Sequence, residues 1–321
     1  MLDWVAENTA LVIFAIFLGF ALLEWITGLF RSPHETAQDA PLEGVMTMLF
    51  AAVIYPGILL LVGYLAQRLV PHWAGAWAEL PTLAMVGLLL LGDDLTQYWW
   101  HRLSHSPLLW PLHRAHHSAP YMGIRVVYRN NFFYYAMMPG LWISAVLVYL
   151  GLGEVYPWYV LVKMTVIFGA HSELRWDQFL YRHRWLHPLA WVVERTISTP
   201  ATHFAHHAMT QNDGIGHYKG NYGNLLFFWD VLFGTARITR RYPARSGLYD
   251  DVVYGPESWT TQLFYPFLKS RREASVLSGE TAPQVAAATL DPTPAQLRVP
   301  SPWARGPFAD EDPSQAQLSG G

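Results

Sequence analysis

Twelve of the fourteen histidines in this 321-residue chain fall between His101 and His217. Their spacing is that of metal ligands. His101 and His105 are four apart, so a helix puts them on one face. His113, His116 and His117 form an HxxHH triplet, and His203, His206 and His207 repeat it. His171 in GAHSE, His183 and His187 in RHRWLH, and His217 in GIGHYKGNYG are further candidates. Packing alone gains nothing from so many imidazoles, because each buried ring needs polar partners. His34 and His72 have no neighbour at metal spacing and read as ordinary histidines. There is no HExxH of a zinc protease. Cysteine is absent, which removes thiolate ligands, disulfides and Fe–S clusters together. An all-nitrogen donor set suits iron, zinc, copper or nickel. Eight or more clustered imidazoles suit two ions better than one, although paired haems would use four to six of them. Acids near the ligands would fix imidazole tautomers. Asp94, on one helical stripe with Tyr98, His101 and His105, is the first candidate, followed by Glu173 and Asp230.

The elements that position these residues are apolar. Hydrophobic residues make up 52% and charged residues 14%, against roughly 25% charged in an average soluble domain. Mean hydropathy is +0.15. The composition therefore points to a membrane protein. The N-terminus carries Asp3 and Glu7 with no Lys or Arg, unlike a secretory signal peptide. About 20 apolar residues cross a hydrocarbon core. Spans are expected over 10–30 and 45–69, the latter kinked at Pro56-Gly57, and over 80–100. A helical hairpin over 132–152 and 155–170 follows, its second arm slightly short for a full crossing. The expected fold is an all-α integral membrane protein with about four to five hydrophobic helices and a cytoplasmic His-rich helical cap. Its expected parts are an N-terminal helix and link (1–43), a catalytic unit (44–250), a short amphipathic segment (251–274) and a disordered tail (275–321). None of the 21 Lys and Arg precedes Arg31, and most follow Ala170. By the positive-inside rule both His-rich blocks face the cytoplasm, with the N-terminus outside. The expected location is a cell inner membrane. A net charge of -3 without a basic excess gives no support for nucleic-acid binding.

The motifs DLTQYWWHRLSH, PLHRAHHS and THFAHH, with GNYGNLLFFWDVLFGT after the last, resemble those of the fatty acid hydroxylase/sterol desaturase superfamily of membrane di-iron oxygenases, near its alkylglycerol monooxygenase branch. The resemblance covers roughly 40–240. It implies His101, His105, His113, His116, His117, His203, His206 and His207 as ligands of two irons, with His171 a further one. His183, His187 and His217 compete for a last position; the 183–187 segment departs from the family pattern, and His217 is expected beside the ligands or the substrate rather than on a metal. Dioxygen is the implied co-substrate, and the implied reaction is hydroxylation of a membrane lipid such as a fatty acyl chain, sterol or ether lipid. A desaturase on the same site is the near alternative. The chain has no GxGxxG fingerprint and no haem CxxCH. Electrons are thus expected from an external ferredoxin or cytochrome b5-like carrier with its reductase. The basic, aromatic stretch from Arg182 to Arg195 reads as a positive-inside anchor rather than the docking site for that carrier. Two other classes compete: a metal transporter or sensor, which would line a path across the bilayer with histidine, and a haem electron carrier.

Overall fold

The computed structural model describes residues 2–272 and 275–279. They are helical, and their β pairing amounts to two isolated bridges, Ile197 with Leu226 and Ala208 with Ser246. Among the described residues, three helices are long and apolar enough to cross a membrane: α1 (Thr9–Ile26), α2 (Asp39–Leu69) and, further on, Phe132–Tyr149. Leu11, Phe14, Leu18 and Leu22 on α1 are about half exposed, and Leu60 and Leu69 on α2 are 74% exposed. Apolar surface of that extent is stable against lipid rather than water. The molecule is a mostly helical membrane protein.

Two stretches expected as spans behave differently. Thr82–Leu89, the π-helical turn Leu90–Leu95 and Thr96–Ser104 run on as one rod, α3 (82–104). Its second half turns Asp93 and Asp94 into the protein, and it does not count among the three apolar spans. Trp110–His117 forms α4 and Phe132–Tyr149 forms α5. The second hairpin arm is α6 (Tyr156–His171), 16 residues long with Lys163 buried in its middle, and it too falls short. Three spans by length and composition thus stand where four to five were expected. The expected kink at Pro56-Gly57 is a π-helical turn, Phe50–Ile54, just upstream. A proline lacks the N–H of the α ladder and crowds the carbonyl four residues earlier, so the preceding turn widens.

Glu24 near the end of α1 faces inward. Its carboxylate accepts from the backbone N–H of Ile124 and Glu173, both at 3.1 Å, and from Ser172 Oγ at 2.8 Å. It ties α1 to the loops that follow α4 and α6. The main core lies between α2, α4, α5 and Trp259–Phe264, around Met46, Ile58, Trp100, Tyr134 and Leu263. Two further helices belong to the cap. Amphipathic α7 (His187–Thr196) exposes Leu189, Trp191 and Val192, and α8 (Pro200–His206) is buried throughout. Of the expected tail, 280–321 lies outside the described residues. Its first residues, 275–279, are described: Leu277 is buried and Ser275 Oγ bonds Glu257.

Candidate metal centre

Each ligand-bearing helix has a local reason to end where it does. α8 starts at a capping box in which Thr199 and Thr202 satisfy each other's backbone N–H, with Pro200 in the first turn. Pro111 opens α4 in the same way. Both helices are short and both end on their HxxHH triplet, so three imidazoles leave one helix terminus together. α3 delivers His101 and His105, and α6 delivers His171 as its last residue.

Nine imidazoles converge in two groups. His101, His105, His113, His117 and His206 form the first; His116, His171, His203 and His207 form the second. Within each group one ring nitrogen from every residue lies within 4.8 Å of the others. The groups abut: the rings of His117 and His207 stack at 4.4 Å between centroids. All nine are buried except His105, which is partly so. His183, His187 and His217 are not brought to either group. His183 Nδ1 and His187 Nε2 face the carbonyls of Phe179 and Tyr181, both at 2.9 Å. His217 Nε2 faces the Thr235 carbonyl at 3.1 Å. The flat ring of His217 packs so closely on Gly220 that any side chain at 220 would overlap it.

The three acids expected beside the ligands do not touch them. Asp94 accepts from the backbone N–H of Leu225 and Leu226 and from Trp229 Nε1 at 2.8 Å. Asp230 accepts from the N–H of Tyr222 at 2.9 Å and Gly223 at 2.6 Å, and from Thr235 Oγ1. Burial pushes the Asp230 carboxyl above its ordinary range, and these donors work against that shift. Glu173 pairs with Arg175, Nε to Oε1 at 2.9 Å, while burial pushes its pKa up to about 8. Four of the nine imidazoles are oriented instead by backbone carbonyls. His101 Nδ1 lies 2.7 Å from Tyr222 O and His206 Nδ1 2.7 Å from Gly220 O. His116 Nδ1 lies 3.0 Å from Arg129 O, and His171 Nδ1 2.8 Å from Ile167 O. Asp94 and Asp230 therefore act one step back, gripping the 220–230 loop that holds the imidazoles. Asn130 is a residue the sequence reading missed: its side-chain amide sits 3.3 Å from His113 Nδ1. Nothing in a single sequence separates it from Asn131 beside it, which caps α5 through Phe133 N.

The His101–His206 pair tests whether a cation fits. A carbonyl only accepts, so both Nδ1 atoms carry the proton and both Nε2 atoms present lone pairs. Those Nε2 atoms are 2.9 Å apart. Burial disfavours charge on these rings, and it lowers His206 well below the ordinary value. Two acceptors facing each other at hydrogen-bond distance repel unless a cation lies between them. Imidazole nitrogens sit about 2.0–2.1 Å from a bound ion, so adjacent ligands of one ion come about 3 Å apart. In the second group His203 Nε2 and His171 Nε2 are also 2.9 Å apart; Ile167 O holds His171 Nδ1, and His203 Nδ1 is buried without a hydrogen-bond partner. The donor set fits two cations, one per group.

A family model for fatty acid hydroxylases matches residues 86–235. That window holds all nine converging histidines together with Asp94 and Asp230. Over that window, somewhat under half of its length, the chain is similar to the fatty acid hydroxylases. It is similar to alkylglycerol monooxygenase of Danio rerio, 28% identical over 275 residues, 79% of this chain and 53% of that protein. It is also similar to the alkylglycerol monooxygenases of Xenopus tropicalis (29% over 153 residues, 46% of this chain and 29% of that one) and Homo sapiens (27% over 150 residues, 45% and 29%). The chain spans about half the length of the Danio rerio protein and less of the other two. No solved structure matches it significantly. The segment after the matched window still bears on the site. Buried Arg114, inside the second histidine motif, pairs with Asp250 and Asp251, and Arg272 bonds the same two acids.

Proposed function

We propose that the two histidine groups hold two irons and that this chain hydroxylates a C–H bond of a membrane lipid with dioxygen. The observation that carries the reading is the pair of abutting all-imidazole groups, in the first of which the Nε2 lone pairs of His101 and His206 face each other. When bound, the irons would supply the activation of dioxygen; one oxygen atom enters the C–H bond and the other leaves as water, with two electrons and two protons consumed. The relatives are named as monooxygenases of alkylglycerols, so an ether lipid heads the candidate substrates, ahead of fatty acyl chains and sterols.

The chain's own contribution is geometric and electrostatic. Neutral imidazoles bind the ions without cancelling their charge, and carbonyl-held Nδ1–H groups fix the tautomer that aims Nε2 inward. We assign His101, His105, His113, His117 and His206 to one ion and His116, His171, His203 and His207 to the other. His183, His187 and His217 are left out. Asp94 and Asp230 are positioning residues, and Glu173 accepts a hydrogen bond from Arg175. Burial of the site keeps bulk water from the reacting carbon. The exposed apolar surface around Trp99, Leu103 and Phe233, beside the end of α3, suits the approach of a lipid chain.

In the membrane, α3 and α6 would add to the three apolar spans, giving four to five segments with both histidine groups at the cytoplasmic leaflet. The Lys and Arg bias supports that orientation and an inner-membrane location. Electrons would come from an external ferredoxin or cytochrome b5-like carrier with its reductase. The catalytic unit spans 44–250, and the segment after it is tied to it by Arg114–Asp251 and Asp250–Arg272. The test is untargeted lipid analysis of cells with and without the chain, run under 18O-labelled dioxygen. One labelled oxygen added to a lipid is the expected result. Loss of two hydrogens would make the reaction a desaturation, and no change in any lipid would overturn the reading.

A further inference from the structure

Lys163 Nζ lies 2.6 Å from Asp93 Oδ2, and Tyr159 OH donates to the same oxygen at 3.0 Å. Asp93 and Lys163 are only 4% and 6% exposed, and they join α3 to α6 in the apolar body of the protein. Gly140 on α5 leaves the space that the Asp93 carboxylate fills, because a Cβ there would sit 2.6 Å from Oδ1. No ligand is touched. Yet Asp93 stands eight residues before His101, and Lys163 stands eight before His171. At 1.5 Å per residue both ligands lie about 12 Å further along their helices. The pair is a crossbar between the helix that feeds the first histidine group and the helix that feeds the second.

We infer that the Asp93–Lys163 pair is a positioning device that sets the register of α3 against α6, and with it the placement of His101 relative to His171. A buried ion pair is a poor source of cohesion, since apolar residues of similar size often serve stability as well or better. Its advantage is direction. Apolar helix faces such as those around Met85, Leu89 and Tyr159 tolerate sliding, whereas an ion pair in a low-dielectric setting has one acceptable partner position. A slip of one helical turn is about 5.4 Å, more than the 4.8 Å within which each group's ligand atoms lie. One slipped turn would therefore break a ligand set. The neighbouring acid strengthens the assignment. The π-helical turn Leu90–Leu95 aims Asp93 at α6 and Asp94 at the 225–229 loop, so one turn of α3 fixes both the partner helix and the loop that orients His101.

The inference rests on the reading of the two groups as metal sites, and its test separates the two. The chain has no cysteine, so Leu103→Cys and Val162→Cys, at exposed positions of α3 and α6, place spin labels uniquely on the full-length protein. In this labelled background Asp93→Leu/Lys163→Met removes both charges without leaving one unpaired. The expected result is a folded protein whose inter-label distance distribution broadens or shifts by about 5 Å, one helical turn. Iron should fall to half the parent content or less. The conservative Lys163→Arg should keep the parent distribution and parent iron content. A parent-like distance distribution with full iron in the double variant would overturn the inference, as would loss of activity with both readouts unmoved. Should the parent itself hold no iron, the metal reading fails while the distances still report on the register.

Discussion

In the first histidine group, His101 and His206 reach across to carbonyls of the 220–223 loop, which two acids hold from behind. In the second group, His171 is tied within its own helix through Ile167 O, and His116 is tied to Arg129 O in the loop that follows α4. The first site leans, through His101, on a loop 121 residues away, and the second leans on α6 itself and on the loop that leaves α4. Loop-oriented ligands are vulnerable to changes that never touch the metal. Self-oriented ones fail only when the fold around them fails. Asn221 shows how specialised the loop is. It adopts positive φ, which asparagine tolerates better than most residues, and its side-chain amide bonds Thr202 O and Arg237 O.

The comparison is broken most directly by His206→Ala, which removes a ligand. It should abolish activity and lower the iron content, measured by elemental analysis. Arg129→Met strikes the second group through its scaffold. It leaves Asp39 and Glu43 without the guanidinium between them, so unfolding stability should drop by about 3–5 kcal/mol, read by thermal denaturation in detergent. Asp230→Asn should leave the fold in place and lower metal affinity or activity by roughly 10- to 100-fold. The loss should be confined to one ion of the two. Equal loss from both groups would mean that the loop does not serve the first group specifically. The smallest effect is expected of His183→Ala and His187→Ala, which should change stability by no more than about 0.5 kcal/mol and leave iron content unchanged.

Much of this was legible in the sequence because it is local. HxxxH and HxxHH spacing puts imidazoles on one helical face whatever the rest of the chain does, and the apolar lengths of α1 and α2 announce themselves. The departures are all non-local. Asp94 shares a stripe with His101, which suggested a direct contact, but the π-helical turn re-aims it toward Trp229, 135 residues away. The groups that do orient the imidazoles are carbonyls, which every residue possesses, so no residue type could flag Gly220, Tyr222 or Ile167. Lys163 lies in an apolar arm, and only the fold brings Asp93, 70 residues away, to face it. His183 and His187 have a liganding residue type but sit on half-exposed turns away from the centre, and only three-dimensional placement separates them from His171.

Iron stoichiometry of the purified full-length chain, with its optical spectrum recorded on the same sample, bears most directly on the central claim. Two irons per chain without a Soret band is the result expected of nine imidazoles in two groups. One metal per chain, zinc in place of iron, or strong haem absorption would contradict it.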